Sequence, residues 1–358
     1  MRAFEVIVLG VSWLLACVAS LPAAPAALFE EIHVVQWPKQ KWGYRGAMGD
    51  IELLKDGRLL LAYTIDDAGI LGRYSDDGGK TWGAEFMMIP DPKPAKRGEY
   101  YCHPSLLRLA SGDLLFSYIY LVEATPRFVH NYYRRSTDDG KTWGDQLIVT
   151  PVPGCNAMHN DKLLQLSSGR IVAPAEREAV PDPGQHAGYV SFACYSDDNG
   201  YSWQRSNEVN ALPIEAQEPH VVELKNGRLM MLCRTYSGFV LRAYSHDRGA
   251  TWSKGEPVRE LKLSANSSAL NVKRIPKTGD LVLLRSTGGK GGYRTPFVAA
   301  VSADEGKTWG HERAIAGDPD DDYGYPSLTF LDGLAIISFH KRDGIYVARI
   351  GTDWFYGK

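Results

Sequence analysis

Short β-rich apolar runs recur along the chain, and between paired runs stand tight-turn dipeptides at Asp56-Gly57, Ser111-Gly112, Ser168-Gly169, Asn226-Gly227, Thr278-Gly279 and Asp332-Gly333. Each dipeptide can supply the positive φ that closes a hairpin, so the pattern predicts an antiparallel hairpin at every one. A second motif interleaves with the first. Ser-x-Asp-x-Gly-x-Thr-Trp occurs at Ser75–Trp82, Ser136–Trp143, Ser245–Trp252 and Ser302–Trp309, and again at Ser196–Trp203 with Ser in place of Thr. Each unit therefore reads strand, glycine hairpin, strand, loop, strand, boxed turn, strand. A period of about 50–60 residues marks a repeat architecture, and four-stranded antiparallel sheets set radially make an all-β, six-bladed β-propeller. The last unit, 326–355, has no clear box, whereas Ile32-His33-Val34-Val35 is a strand without a unit of its own. The N-terminal strand is expected to complete the last sheet and so protect the exposed edges of the ring.

The boxes read as structural. Their Asp and Ser side chains can bond to backbone N–H groups, Gly takes the left-handed position, and Trp fills the gap between neighbouring sheets. Calcium-type loops need more convergent carboxylates than one copy provides, so no metal is assigned.

Composition narrows the class of partner. Among 358 residues, 40 Lys+Arg against 42 Asp+Glu leave a net charge of −2, which argues against binding nucleic-acid phosphates or an acidic membrane surface. Residues 1–26 read as a secretory signal peptide: Arg2, an apolar run from Val6 to Val18, then a small-residue stretch through Ala27. The apolar run is too short to span a membrane. Leu14-Leu15-Ala16-Cys17 offers a rival, lipoprotein-type processing site anchored at Cys17. Either way the product leaves the cytoplasm as a secreted or periplasmic protein, with the propeller over 28–358 and a monomer expected. Cys102, Cys155, Cys194 and Cys233 have no metal-ligand spacing and read as buried free thiols.

Strand alternation sorts the loops onto two faces. Hairpins and boxes fall below; the segments entering the innermost strand and those joining the second to the third fall above. The residue just before the innermost strand is Met48, His103, Asn160, Glu218, Leu270 and Tyr325 in successive units. The other upper positions bring Asp66 and Asp67, Arg234, Arg294 and Arg45 to the same side. Carboxylates, arginines and a tyrosine are thus expected to converge above the hub.

With these residues in place, nearly the whole chain resembles the sialidase (neuraminidase) superfamily, specifically bacterial exo-sialidase-like proteins with several Asp-boxes (BNR repeats). Glu218-Pro219-His220-Val221-Val222-Glu223-Leu224 followed by Arg234 resembles the family's Glu and second arginine. Arg294-Thr295-Pro296 resembles its third arginine, and Tyr325-Pro326-Ser327-Leu328 its nucleophilic tyrosine. Asp66 or Asp67 matches the acid of the first blade. Tyr44-Arg45-Gly46-Ala47-Met48-Gly49 lacks the Ile-Pro of the family's Tyr-Arg-Ile-Pro-like motif, and whether Arg45 completes the arginine cluster is left open.

The resemblance implies a retaining hydrolase that releases terminal sialic acid from sialylated glycans without a cofactor. A sugar with a carboxylate on its anomeric carbon suits arginines, which stay charged and grip both oxygens. The same charge disfavours a carboxylate nucleophile and explains a tyrosine. Tyr325 would attack, with Glu218 as its base; Asp66 or Asp67 would protonate the leaving oxygen; Arg45, Arg234 and Arg294 would hold the carboxylate; His103 and Asn160 would contact the sugar or aglycone. Two other readings stay open: a propeller glycosidase or lyase for another acidic sugar, and a glycan-binding propeller without turnover.

Overall fold

The computed structural model describes residues 28–37, 46, 48–65, 68–91, 99–122, 128–151, 154–179, 188–209, 211, 213–263, 269–288 and 292–358. The expected leader with Cys17, and Arg45, Asp66 and Asp67, lie outside these residues.

The protein is an all-β, six-bladed propeller whose blades are antiparallel meanders, mostly of four strands. Blade 1 comprises Gly49–Leu53, Leu59–Ile65, Gly69–Ser75 and Phe86–Pro90, and blade 2 Glu99–Arg108, Leu114–Val122, Phe128–Ser136 and Leu147–Ile148. Blade 4 comprises Gln217–Glu223, Leu229–Arg234, Phe239–Ser245 and Glu256–Lys262, and blade 5 Asn271–Arg274, Leu281–Ser286, Phe297–Ser302 and Gly310–Ala316. In blade 3 the innermost strand is split into Asn156–Ala157 and Leu164–Gln165, both paired with Ile171–Ala179, followed by Gly188–Ser196 and Gln204–Arg205. Blade 6 holds Gly324–Leu331, Leu334–Lys341 and Gly344–Gly351, and its outer strand is the N-terminal Phe29–Gln36, which pairs antiparallel with Gly344–Gly351. The ring closes as the orphan N-terminal strand predicts.

The core lies in the seams between blades, because middle strands such as Leu229–Arg234 and Phe297–Ser302 are buried along their whole length. One cluster of buried apolar residues fills each seam. The box tryptophan of each of the first five blades packs into the seam with the preceding blade: Trp82, Trp143, Trp203, Trp252 and Trp309. Blade 6 has no box, and the seam between blades 5 and 6 receives Trp354 and Phe355 from the 3-10 helix Thr352–Tyr356 instead.

Every box is wired alike. In the second, Ser136 Oγ donates to Asp138 Oδ1 (2.8 Å) and accepts from the Gly140 N–H (2.7 Å), while Thr142 donates through its N–H and its hydroxyl to Asp138. Gly140 sits at φ 83°, where a Cβ would be strained. Hairpins and boxes share the lower face: the Lys55 N–H donates to Asp139 (2.9 Å), and Arg170 grips Asp197 with two bonds of 2.7 Å. The four cysteines among the described residues are free; Cys102, Cys194 and Cys233 are buried, and Cys155 is half-buried. Burial pushes the Cys194 and Cys233 thiols up to about 12.

Candidate active site

The upper end of the hub is built by one backbone device used three times. His103, Glu218 and Tyr325 each have positive φ (56°, 43° and 51°). Each precedes a proline and lies at a break in register within its innermost strand. The sequence places these residues just ahead of the strand; they lie inside it, on β-bulges. A bulge inserts an extra residue and re-aims its side chain, here toward the axis. Left-handed backbone ahead of a proline is disfavoured, costing about 1–3 kcal/mol per residue, so the surrounding packing must hold it.

Four of the expected residues meet. Tyr325 Oη donates to Glu218 Oε1 at 3.0 Å, and Arg234 Nη1 donates to the same oxygen. The Arg294 guanidinium lies 5.4 Å from the centre of the Tyr325 ring. All four side chains are buried. Arg294 is positioned by its own N–H, which donates to Asp322 Oδ1 (3.0 Å), and by Gly324, where a Cβ would stand 3.3 Å from Arg294 Nη1. Arg294 Nε and Nη1, Arg234 Nε and Glu218 Oε2 have no hydrogen-bond partner among the described residues. Buried guanidinium donors left unused beside a tyrosine are suited to receive an anion.

The charges tune one another. Burial pushes the Glu218 carboxyl up, but Arg234, His159 and Arg294 outweigh it and hold it well below the ordinary carboxylate range. Burial and the negative charge of Glu218 push the Tyr325 phenol up to about 12, against the pull of Arg294 and Arg234. At neutral pH the phenol therefore keeps its proton and lends it to Glu218 as a hydrogen bond.

Asn160 and His103 also reach the hub. The Asn160 amide donates to the carbonyls of Gly49 (2.8 Å) and Tyr325 (2.9 Å), tying three blades together. The His103 ring stacks on His159 at 4.6 Å between centroids. Met48 packs with Tyr325 and Ala269. No group of three or more His, Cys, Asp or Glu that could hold a metal occurs among the described residues, and no helix there is long and apolar enough to cross a membrane.

Sequence reasoning misses His159, Glu176, His340 and Lys162. His159 Nε2 stands 3.3 Å from Glu176 Oε1 and 3.6 Å from Glu218 Oε1. Glu176 Oε2 accepts the Glu218 N–H. His340 lies 5.6 Å from Tyr325, ring to ring. Lys162 Nζ donates to Leu270 O (3.0 Å), and burial pushes its ammonium down to about 8 despite Glu218, Asp161 and Glu176. A register count holds the missed signal. Arg234 stands seven residues after its hairpin glycine (234 − 227 = 7), and the same step reaches Glu176 (176 − 169 = 7) and His340 (340 − 333 = 7).

Blades, boxes and hub together define a six-bladed propeller of the sialidase superfamily. The chain belongs to the BNR repeat-like domain family, which it matches over residues 64–336. It is 25% identical over 335 residues to a sialidase of Micromonospora viridifaciens, covering 84% of this chain and 50% of that protein. It therefore spans about half the length of that relative, and 44% of the length of a leech anhydrosialidase (Macrobdella decora), to which it is 24% identical over 370 residues, 91% of this chain. Among solved structures, a protein of unknown function from Dyadobacter fermentans superposes with a TM-score of 0.72 at 19% identity, covering 90% of this chain and 99% of the other. The last likeness is one of fold alone.

Proposed function

We propose that the protein is an exo-acting, retaining glycoside hydrolase that releases terminal sialic acid from glycans, and that it acts outside the cytoplasm. The observation that carries this reading is the shared oxygen of Glu218, which receives both the Tyr325 hydroxyl and Arg234 while Arg294 lies against the tyrosine ring. The names of relatives such as the Micromonospora viridifaciens sialidase support the substrate class.

The chemistry follows from charge. A substrate carboxylate engages Arg234 and Arg294, whose unused donors match its two oxygens. Neutralising those cations weakens their hold on Glu218, and a carboxylate less tightly held is a better base. Tyr325 Oη then bonds to the anomeric carbon as its proton passes to Glu218 and the glycosidic C–O bond breaks. Asp66 or Asp67 protonates the departing oxygen. In the second half that residue takes a proton from water, whose oxygen displaces the tyrosine, and Glu218 returns the proton to Tyr325. Two displacements at one carbon retain its configuration.

The test is release of the aryl group from an aryl sialoside by wild type and Tyr325→Phe, with aryl uronides and neutral pyranosides as controls. Turnover of the sialoside alone, collapsing in the variant, is the expected result. Turnover of uronides instead, or equal rates in the two proteins, would reject the assignment.

A further inference from the structure

Beyond the tyrosine, the carboxylate and the arginines, blade 3 contributes two buried titratable side chains that the reaction above does not use. His159 and Glu176 are each 7% exposed. The His159 ring lies nearly parallel to that of Tyr325, with centroids 5.7 Å apart and planes 18° apart, and its other neighbour in the stack is His103 at 4.6 Å. Its Nε2 faces two carboxylates at once, Glu176 at 3.3 Å and Glu218 at 3.6 Å. Glu176 has a second contact: its Oε2 accepts the main-chain N–H of Glu218, the residue whose φ of 43° is otherwise disfavoured.

We propose that His159 and Glu176 are positioning residues for the Tyr325–Glu218 pair: the imidazole fixes the plane of the phenol and the orientation of the Glu218 carboxylate, and Glu176 fixes both the imidazole and the bulged backbone of Glu218. This rests on the reading of Tyr325 and Glu218 as nucleophile and base. The arrangement extends the logic in which a nucleophile is served by a base and the base by a third group. Glu176 enters at two points, one side-chain and one main-chain, so its removal loosens the pair from both ends. Orientation errors on the order of 1 Å at a reacting pair cost about 100-fold in rate.

The electrostatics give the proposal a signature that simple packing lacks. Glu218 is faced by Arg234 on the neighbouring strand, His159, Glu176 and Lys162 from blade 3, Arg294 from blade 5 and Tyr325 from blade 6. His159 is one of the groups that hold the Glu218 carboxyl low, so a neutral replacement raises it. Glu218 then gains its proton at a higher pH than in wild type.

Three variants test this: His159→Gln, Glu176→Gln and Glu176→Asp, each compared with wild type for thermal unfolding, kcat and KM on an aryl sialoside, and kcat against pH. Expected are unfolding temperatures close to wild type, kcat lower by about 10- to 100-fold in His159→Gln and Glu176→Gln with KM within about 2-fold, partial recovery in Glu176→Asp, and an acid limb of kcat moved to higher pH in His159→Gln. An unchanged kcat, a change confined to KM, or an acid limb left in place would overturn the proposal. A readout without substrate separates it from the sialidase reading: carboxyl-carbon NMR of 13C-glutamate-labelled protein, with the Glu218 signal assigned through Glu218→Gln. If wild type turns over no sialoside, the functional reading fails and the titration still decides. A Glu218 titration that moves up in His159→Gln supports the clamp, and one that stays put refutes it. Should His159→Gln fail to fold, Glu176→Gln and Glu176→Asp carry the kinetic test.

Discussion

Tyr325 Oη and Glu218 Oε1 lie 3.0 Å apart although 107 residues separate them in the chain. The contact is possible because two bulges, one in blade 4 and one in blade 6, turn their side chains to the same axis. The convergence at this hub is thus a matter of local backbone geometry imposed on a repeating scaffold, and its consequences can be checked residue by residue.

Arg294 should govern capture of the anion more than folding. Its guanidinium is buried with Nε and Nη1 unused, and it lies against Tyr325. Arg294→Lys keeps the charge and loses the planar fork. Steady-state kinetics on a sialoside should show kcat/KM lower by roughly 100-fold, about 3 kcal/mol, with most of the loss in KM. A lysine variant with near wild-type KM would show that Arg294 does not bind the carboxylate.

Tyr236 offers an exposed surface beside Arg234. It is 53% exposed, its hydroxyl accepts from Arg234 Nη2 at 3.0 Å, and its ring centre is 5.1 Å from the Arg234 guanidinium. An exposed ring held in place by an arginine can stack on the sugar following the cleaved bond. Tyr236→Ala is expected to raise KM several-fold for a sialylated oligosaccharide and little for a small aryl sialoside, whereas Tyr236→Phe keeps the surface and stays near wild type. Equal effects on both substrates would assign the residue to holding Arg234 alone.

Much of this arrangement is legible in the chain because its units repeat. Hairpin glycines and boxes fix the period, the period fixes which positions face the hub, and Glu218, Arg234, Arg294 and Tyr325 follow. Blade 3 hides its contribution: its innermost strand is broken between Ala157 and Leu164, so His159 enters from an irregular segment that no alternation of strand residues foretells. Glu176 is regular, and the seven-residue step from its hairpin glycine is what distinguishes it from Glu178, the exposed glutamate two residues further along the same strand. The bulges leave one mark in the chain, the proline after His103, Glu218 and Tyr325, because a proline within a strand is confined to an edge or a bulge; counting back from the hairpin glycine passes over it.

The boxes give stability a defined response to acid. Hydrogen bonds from Thr142 and Ser136 draw Asp138 down from 3.8 to about 2, and Asp77, Asp198 and Asp304 are likewise held at about 2 by their box hydroxyls and N–H groups. A carboxyl whose folded value lies below its unfolded value binds protons more weakly when folded. Its contribution is therefore complete above the unfolded value near 4 and is lost as pH falls through about 2. Unfolding temperature should fall between pH 4 and pH 2, and Asp138→Asn should lower it at pH 7 while flattening that acid slope. A variant with an unaltered slope would remove the box carboxylates as its source.

Trp354 should behave as the missing sixth box. It packs in the seam between blades 5 and 6 with Phe355, its ring carries the Arg313 guanidinium at 4.2 Å, and its carbonyl accepts from Arg313 Nη1. The box tryptophans reach their seams from loops between the third and outer strands, whereas Trp354 arrives from a 3-10 helix after the last strand of blade 6. This seam joins blade 5 to the blade that the N-terminal strand completes. Trp354→Ala is expected to cost about 3–5 kcal/mol in denaturant unfolding, as for a large buried aromatic. Arg313→Ala should cost less, because the seam remains filled. If Trp354→Ala unfolds at the wild-type midpoint, the 3-10 helix is an appendage and the strands alone hold blades 5 and 6 together.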